Sequence, residues 1–192
     1  TDTPQDLKDF PRLLEHILER FRPETDLFIF SNVSMDTLDY TSGKVNEGSK
    51  AIMLGLGDPV RKLPRQFQGQ LPASISRAEV FCGGCLVLQG SELVPSNIAK
   101  DPVFADWPLI VLHDDARVAQ SSTDFLWSTW TRFEPAADIY AANTTIQRHH
   151  LVYTAPIVID ARTKPGFPDE LIVRDDIAAL VDRRWSEYFS RR

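Results

Sequence analysis

Long hydrophobic runs are missing from this chain. Its longest uncharged apolar stretches, such as Phe81–Leu88 and Pro108–Leu112, fall far short of the roughly 20 residues that a membrane-crossing helix needs, so no membrane partner is expected. An excess of positive charge is missing too: 27 acidic side chains against 21 basic ones leave a net charge of −6. Nothing on average draws such a chain to a phosphate backbone or an anionic lipid surface, and no nucleic-acid partner is expected. Only two cysteines occur, Cys82 and Cys85. They cannot make a disulfide framework, and a chain of 192 residues can bury a core without one, so the expected compartment is the cytoplasm. No glycine-rich phosphate loop, serine nucleophile elbow or H-E-x-x-H motif is found. The first residue is Thr1, with no basic-then-apolar leader after it, which predicts either a trimmed start or a piece of a longer polypeptide.

What is present is a globular composition, 43% hydrophobic, 25% charged and 10% aromatic, fitting one domain or two small ones. Phe10, Leu13, Leu14, Ile17, Leu18 and Phe21 draw one stripe on a helix, with Asp9 placed to cap it and Pro11 near its first turn. Leu27–Phe30 and Ala51–Gly55 read as buried strands around a polar loop over 31–49, and residues 58–77 read as a linker or extended arm. From Ala78 onward, Val80-Phe81, Leu86–Leu88 and Leu109–Leu112 predict three more strands. A helix capped by Ser121 or Ser122 follows, carrying Phe125, Leu126, Thr129, Trp130 and Phe133. Strands at Asp138–Ala141 and Pro156–Ile159 and a final helix from about Asp176, with Ile177, Leu180, Val181, Tyr188 and Phe189 along it, complete the pattern. Strands alternating with helices predict an α/β layer structure, a mixed sheet flanked by helices.

One pattern occurs twice. Arg20–Leu27 and Arg132–Ile139 share R-F-x-P-x-x-D-[LI], each at a helix end and just before a strand. The arginine suits the negative end of the helix dipole, the proline stops the helix and the aspartate starts the strand. With a polar insertion and a further strand after each copy, the order predicts two related half-units: 1–65, partial, and 78–192, with a linker over 66–77.

Further along, Trp107–Asp115, the helix segment Phe125–Phe133, then Pro135 and Asp138, then Ile159-Asp160-Ala161-Arg162-Thr163-Lys164-Pro165 resemble the C-terminal domain of the UbiD-type aromatic-acid decarboxylases. That family has a strand ending in an acidic cluster, a helix of the type L-W-A-x-x-T-R-x-x-P-x-x-D and a later I-D-A-T-x-K-x-P. Val181–Tyr188 resembles the tail of several members, and Arg20–Asp26 with Ser49–Ile52 resembles the same domain a second time. The resemblance is good over 105–190 and partial over 5–65, and leaves 66–104 unmatched. It implies part of a carboxy-lyase that adds or removes carbon dioxide on aromatic or unsaturated acids, using prenylated flavin mononucleotide with manganese and potassium. It also implies that the cofactor and catalytic groups lie in a split-barrel domain without counterpart here. The C-terminal domain would supply oligomer contacts and one wall of the cleft. The G-H-A-K-Q-like helix usual before the acidic strand has no match in Ser91–Asp106, and no catalytic residue is carried over.

Several residues still invite chemistry. Cys82-Gly83-Gly84-Cys85 suits a redox pair or half a zinc site, but Leu86–Gln89 continues as strand, so a Gly-Gly hairpin turn is the preferred reading. His113, Asp114 and Asp115 follow a buried strand, where ligands gather in open α/β sheets. They could hold a metal or exchange protons; the alternative, favoured here, is that the aspartates accept backbone N–H bonds in the following turn. Lys164 could reach an anionic group or be a solvated turn residue. These four are the cleft-facing candidates; no catalytic or metal residue is assigned to the chain, and its cofactor-binding residues stay unassigned. His149-His150 is read as a surface loop, and Trp127, Trp130 and Trp185 as anchors on elements that pack together. The leading expectation is the oligomer-forming, cleft-forming C-terminal portion of a UbiD-type carboxy-lyase, binding no cofactor alone and partnered by a split-barrel domain of the same or another polypeptide. The second is a stand-alone, non-catalytic assembly subunit, and the third a thiol- or zinc-dependent protein centred on Cys82 and Cys85.

Overall fold

The computed structural model describes residues 4–169 and 172–189; the outermost residues of the expected half-units, 1–3 and 190–192, lie outside it. Helix α1 spans Phe10–Arg20, with Asp9 Oδ1 accepting from the Arg12 amide at 3.2 Å and Pro11 in the first turn. Its apolar stripe buries Leu14 and Leu18, and Phe21 follows them into the core. Gly55 passes so close that a Cβ there would stand 2.6 Å from Ile17 Cα, so this approach to the helix is open only to glycine. A one-turn helix α2 (Pro23–Asp26) leads to β1 (Leu27–Ser34) and β2 (Glu47–Met53), an antiparallel ribbon with Leu27 opposite Met53. These strands run further into the polar segment than their apolar residues predict. They are not buried strands: Phe30 and Ile52 are each 48% exposed, because a two-stranded ribbon on the flank of the fold has only one face to cover.

The rest of the chain builds one sheet from β3 (Ile75–Cys82), β4 (Cys85–Gly90), β5 (Leu109–Leu112), β6 (Ile139–Gln147) and β7 (His150–Asp160). Its order is β3-β4-β5-β7-β6, with β4, β5 and β7 parallel and both edge strands antiparallel. This is the mixed α/β sheet that the alternation of strands and helices predicts. Along the parallel strands the side chains go alternately to two cores. Val87, Leu109, Val111, Ile157 and Ile159 join Leu14, Leu18, Phe21 and Phe125 on one face. Leu86, Leu88, Ile110, Leu112 and Val158 join Ile98, Phe104 and Trp107 on the other. Burial on both faces is why these strands read as unbroken apolar runs. The first face is covered by α1 and by α4 (Ser122–Trp130), where Phe81 stacks on Phe125 at 3.7 Å between ring centres. The second is covered by α3 (Pro95–Ile98) and the coil before β3, whose Phe67 and Leu71 pack against it; β3 itself starts at Ile75, inside the expected linker.

Cys82 and Cys85 face each other across the β3–β4 turn, and Gly84 takes φ +81° there. Both thiols are free and buried, as a hairpin turn requires. Glu15 on α1 accepts from the Gly83 amide at 2.7 Å and pairs with Arg65, tying the turn to the helix.

The repeated motif has the same local geometry in both places. Pro23 opens α2 and Pro135 opens a matching one-turn helix, α5 (Pro135–Asp138). Each closes on its aspartate, which reaches back to an amide: Arg22 N to Asp26 Oδ2 at 2.8 Å, and Glu134 N to Asp138 Oδ2 at 2.7 Å. The prolines therefore start a new turn as well as ending the preceding helix, because the first helical position needs no amide donor. After each turn comes an antiparallel hairpin with a register shift in its ladder, Phe30/Val33 in one and Ala141/Asn143 in the other. The packing is reciprocal. Helix α2 lies against β7, whereas α5 lies against β1 and β2, where the Ala136 amide donates to Ser49 Oγ at 2.9 Å.

Two expectations are corrected. His149 is exposed in the tight turn of the β6–β7 hairpin, as a surface loop would place it, but His150 begins β7, stacked on Phe28 at 5.1 Å, and the rest of the polar insertion is strand. The three tryptophans do not meet. Trp130 joins Phe10, Phe125 and Phe133, but Trp127 is 74% exposed on the outer side of α4. Trp185 of α6 (Asp175–Tyr188) lies against Phe189, just past the end of that helix, none of whose side chains is buried. Periodicity marks which side chains share a helix face, not whether anything covers it. Among the described residues, no helix is long and apolar enough to cross a membrane.

The two aspartates differ in burial, and this generates a prediction. Asp138 is 7% exposed and also holds Lys164 Nζ at 3.1 Å, whereas Asp26 is only half-buried. Asp138→Ala is expected to cost about 3 kcal/mol, because it strands both an amide and a largely buried ammonium. Asp26→Ala should cost about 1 kcal/mol, the cap together with an exposed hydrogen bond from the Thr25 hydroxyl. Urea unfolding of both variants measures the difference; equal losses would contradict it.

Candidate cleft at the carboxyl ends of the parallel strands

Strands β5 and β7 run in parallel and end side by side, Leu112 opposite Asp160. Their carboxyl ends open into a cleft of about 880 Å³, the place where open α/β sheets collect ligands. His113, Asp114 and Asp115 line it from β5, Thr163 and Phe167 from the segment after β7, Trp127 and Arg132 from α4 and its end, and Tyr40 from the β1–β2 loop.

His113 is 2% exposed. Its Nδ1 accepts from the Asp115 amide at 3.0 Å, which leaves the proton of the neutral ring on Nε2, an atom with no hydrogen-bond partner among the described residues. Burial pulls its pKa below the usual histidine value, and Arg132 adds to this; Asp114, the Asp115 amide and the Asp115 carboxylate push the other way without restoring it. Asp114 Oδ2 accepts from the Thr163 amide at 2.8 Å and hydroxyl at 2.7 Å and meets Arg132 Nη1 at 3.4 Å. It joins the two strand ends. Asp115 accepts from the Arg117 amide at 2.9 Å and takes that guanidinium in a two-pronged pair, which holds its carboxyl down at about 2. Asp115 thus accepts an amide bond in the following turn, as expected, whereas Asp114 does not: its amide donor is Thr163, on the segment after β7.

Lys164 is in neither of the places its sequence position suggests. Its Nζ donates to the Arg132 carbonyl at 2.7 Å and the Asp160 carbonyl at 2.9 Å and pairs with Asp138. It is neither a solvated turn residue nor part of the cleft lining; it ties the end of α4 to the end of β7. Asp160, its neighbour in the motif, is gripped by Arg162 at 2.8 and 2.6 Å. Burial raises that carboxyl, but the guanidinium and the Arg162 amide outweigh it, and the net shift is downward. Three of the four candidates therefore meet in the cleft. Arg132 and Thr163 join them, and the only sequence signal for either was membership of a motif. Trp127 belongs to the same motif as Arg132, and Tyr40 comes from a segment with no pattern pointing here.

This lining does not fit prenylated flavin mononucleotide. Asp114, Asp115, Asp124 and Asp169 set four carboxylates against the single guanidinium of Arg132, an arrangement that repels a phosphate. Among the described residues no three His, Cys, Asp or Glu side chains are grouped so as to hold a metal ion.

Residues 1–55 match the family model for the C-terminal domain of 3-octaprenyl-4-hydroxybenzoate carboxy-lyase, which bears out the resemblance to the UbiD C-terminal domain. The match lies on the first copy of the repeated motif. Over 98% of its length the chain is 44% identical to a Chlamydia trachomatis protein of no stated function, covering 33% of that protein. Over 100% of its length it is 41% identical to a 4-hydroxybenzoate decarboxylase subunit from Chlamydia pneumoniae, again covering 33%. The chain thus spans about a third of the length of the curated relatives it matches. Among solved structures, the vanillic acid decarboxylase of Sedimentibacter hydroxybenzoicus overlaps 62% of this chain and 30% of its own at 14% identity, with a TM-score of 0.37.

The burial of His113 predicts a pH dependence. Its folded-state pKa lies below its unfolded one, near 6.5, so the unfolded chain takes up the proton first and stability falls as pH drops below about 6.5. The loss is complete below the folded pKa; above pH 7 the contribution is fully present. His113→Gln should flatten the stability slope between about pH 7 and 5.5 while leaving the steeper carboxylate-driven loss below about pH 4 in place. Denaturant melts across that range check it, and NMR should find the His113 imidazole titrating below 6.5.

Proposed function

We propose that this chain is the cleft-forming and assembly portion of a UbiD-type carboxy-lyase acting on an aromatic or unsaturated acid, with the catalytic core outside these residues. One observation carries the reading: the whole chain aligns at 41% identity with a third of a protein whose name makes it part of a 4-hydroxybenzoate decarboxylase. The division of labour is supported by the cleft itself. Asp114, Asp115 and Lys164 are bound to Thr163, Arg117 and Asp138, and a side chain holding the fold together is poorly placed to move a substrate proton. Prenylated flavin mononucleotide, manganese and potassium belong, on this reading, to a split-barrel domain of the same or a partner polypeptide. The assembly is a cytoplasmic homo-oligomer, and the uncovered apolar side chains of α6, Ile177, Leu180 and Trp185, are suited to contacts between protomers.

The two half-units, 1–65 and 78–192, belong to the same proposal. Their support is the shared aspartate-to-amide bond, the paired hairpins and the reciprocal packing of α2 and α5. A second reading, a non-catalytic assembly subunit, is favoured by the same engaged carboxylates.

Carbon dioxide exchange into 4-hydroxybenzoate, measured with labelled bicarbonate, separates them. The intact polypeptide from its source should exchange label, this chain alone should not, and removal of this chain from the intact polypeptide should lower exchange at least tenfold. Exchange by the chain alone would overturn the placement of the catalytic core. A natural product of only this mass with no exchange activity would leave the assembly subunit.

A further inference from the structure

A second cavity, of about 390 Å³, lies between the β1–β2 ribbon and the large sheet. It shares no residue with the acidic cleft. Its walls are apolar and come from both parts of the chain: Phe10 and Leu14 of α1, Met53 of β2, Trp130 and Phe133 at the end of α4, and Ile159 of β7. The pocket opens to solvent along the ribbon, where Lys50 and Ala51 are exposed, and its inner wall carries three aromatic rings, a surface on which a flat apolar ligand gains by burial.

Its polar groups define what else it accepts. Ser49 is 3% exposed; its Oγ accepts from the Ala136 amide at 2.9 Å, and the hydroxyl proton has no acceptor among the described residues. Asp39 is the single carboxylate of the lining. One of its oxygens takes the Thr41 amide at 2.9 Å and hydroxyl at 2.6 Å, which leaves the other open. Lys50, the single cation of the lining, is exposed and follows buried Ser49 on β2; successive strand residues turn to opposite faces, so its ammonium is turned from the pocket interior. The pocket thus joins an aromatic wall to one hydroxyl donor and one carboxylate acceptor, with no cation turned inward to balance an acid.

We infer that this pocket binds a small uncharged aromatic molecule carrying a hydroxyl group, and discriminates against the corresponding carboxylate. A ligand hydroxyl can donate to the open Asp39 oxygen or accept from the Ser49 hydroxyl, while a ligand carboxylate entering the same pocket meets the Asp39 charge and gives up water against the aromatic wall. The inference rests on this pocket alone and stands independently of the carboxy-lyase reading.

Phenol and benzoate, alike in ring and different in charge, serve as probes in titration calorimetry with the intact protein and with this chain. Phenol should bind saturably with one site, and benzoate at least tenfold more weakly. Ala51→Phe, introduced from an exposed position on the pocket wall, should abolish phenol binding. Asp39→Asn changes only a surface-loop side chain and should narrow the gap between the two probes to less than threefold. Equal affinities in the unaltered protein, or phenol binding that survives Ala51→Phe in a variant with a native circular dichroism spectrum, would overturn the inference. So would phenol binding to this chain but not to the intact protein, since another segment would then fill the pocket.

Discussion

Three parallel strands buried on both faces are the constraint on which the rest of this fold depends. Leu86, Val87, Leu88, Leu109, Ile110, Val111, Leu112, Ile157 and Val158 are all within 1% of complete burial, so each face needs a covering layer and no polar side chain fits between the strand ends. The covering layers are what the remaining elements supply: α1 and α4 on one face, α3 and the coil with Phe67 and Leu71 on the other. The polar residues that end each strand, His113 after β5 and Asp160 at the end of β7, are displaced to one edge. The cleft exists because the strands are parallel and stop together.

At that edge the chain uses its charges as fasteners. Asp114 joins the segment after β7 to the end of β5, Lys164 joins β7 to the end of α4, and Asp138 closes the turn that sets β6 in place. Asp138 is buried and Lys164 largely so, where an unpaired charge is costly and a satisfied one orders its surroundings, while Asp114 is exposed and fastens by its hydrogen bonds to Thr163. The consequence for function is a division of chemistry. The acidic cleft is built of committed side chains and disfavours phosphate, whereas the pocket between ribbon and sheet is lined mostly by apolar side chains. A carboxy-lyase with its catalytic groups elsewhere and its assembly and shaping surfaces here is consistent with both.

Much of the fold was legible in the sequence because the relevant signals are local. The stripe of α1, the apolar runs of β4, β5 and β7, the Ser121 cap and the Gly-Gly hairpin all follow from spacing and side-chain type alone. The strand extensions through 31–34 and 142–155 were not legible. Most of those residues are polar or exposed, though Tyr153 reaches the core, and their strand conformation comes from the partner across the ladder, Val33 against Gly48 and Asn143 against Thr154, more than from their own preference. The candidate cleft was half legible: a polar cluster after an apolar strand marked His113, Asp114 and Asp115, while Arg132 and Thr163 gave no signal apart from their motifs.

By itself, then, the sequence determined the α/β class, the strands with two buried faces and the repeated turn, since periodicity and proline position act over a few residues. Only the tertiary structure decided that Lys164 turns inward to Asp138, that the two hairpin units pack reciprocally and that α6 leaves its apolar residues uncovered. Those outcomes depend on which distant groups arrive alongside, and a linear pattern carries no record of its neighbours in space.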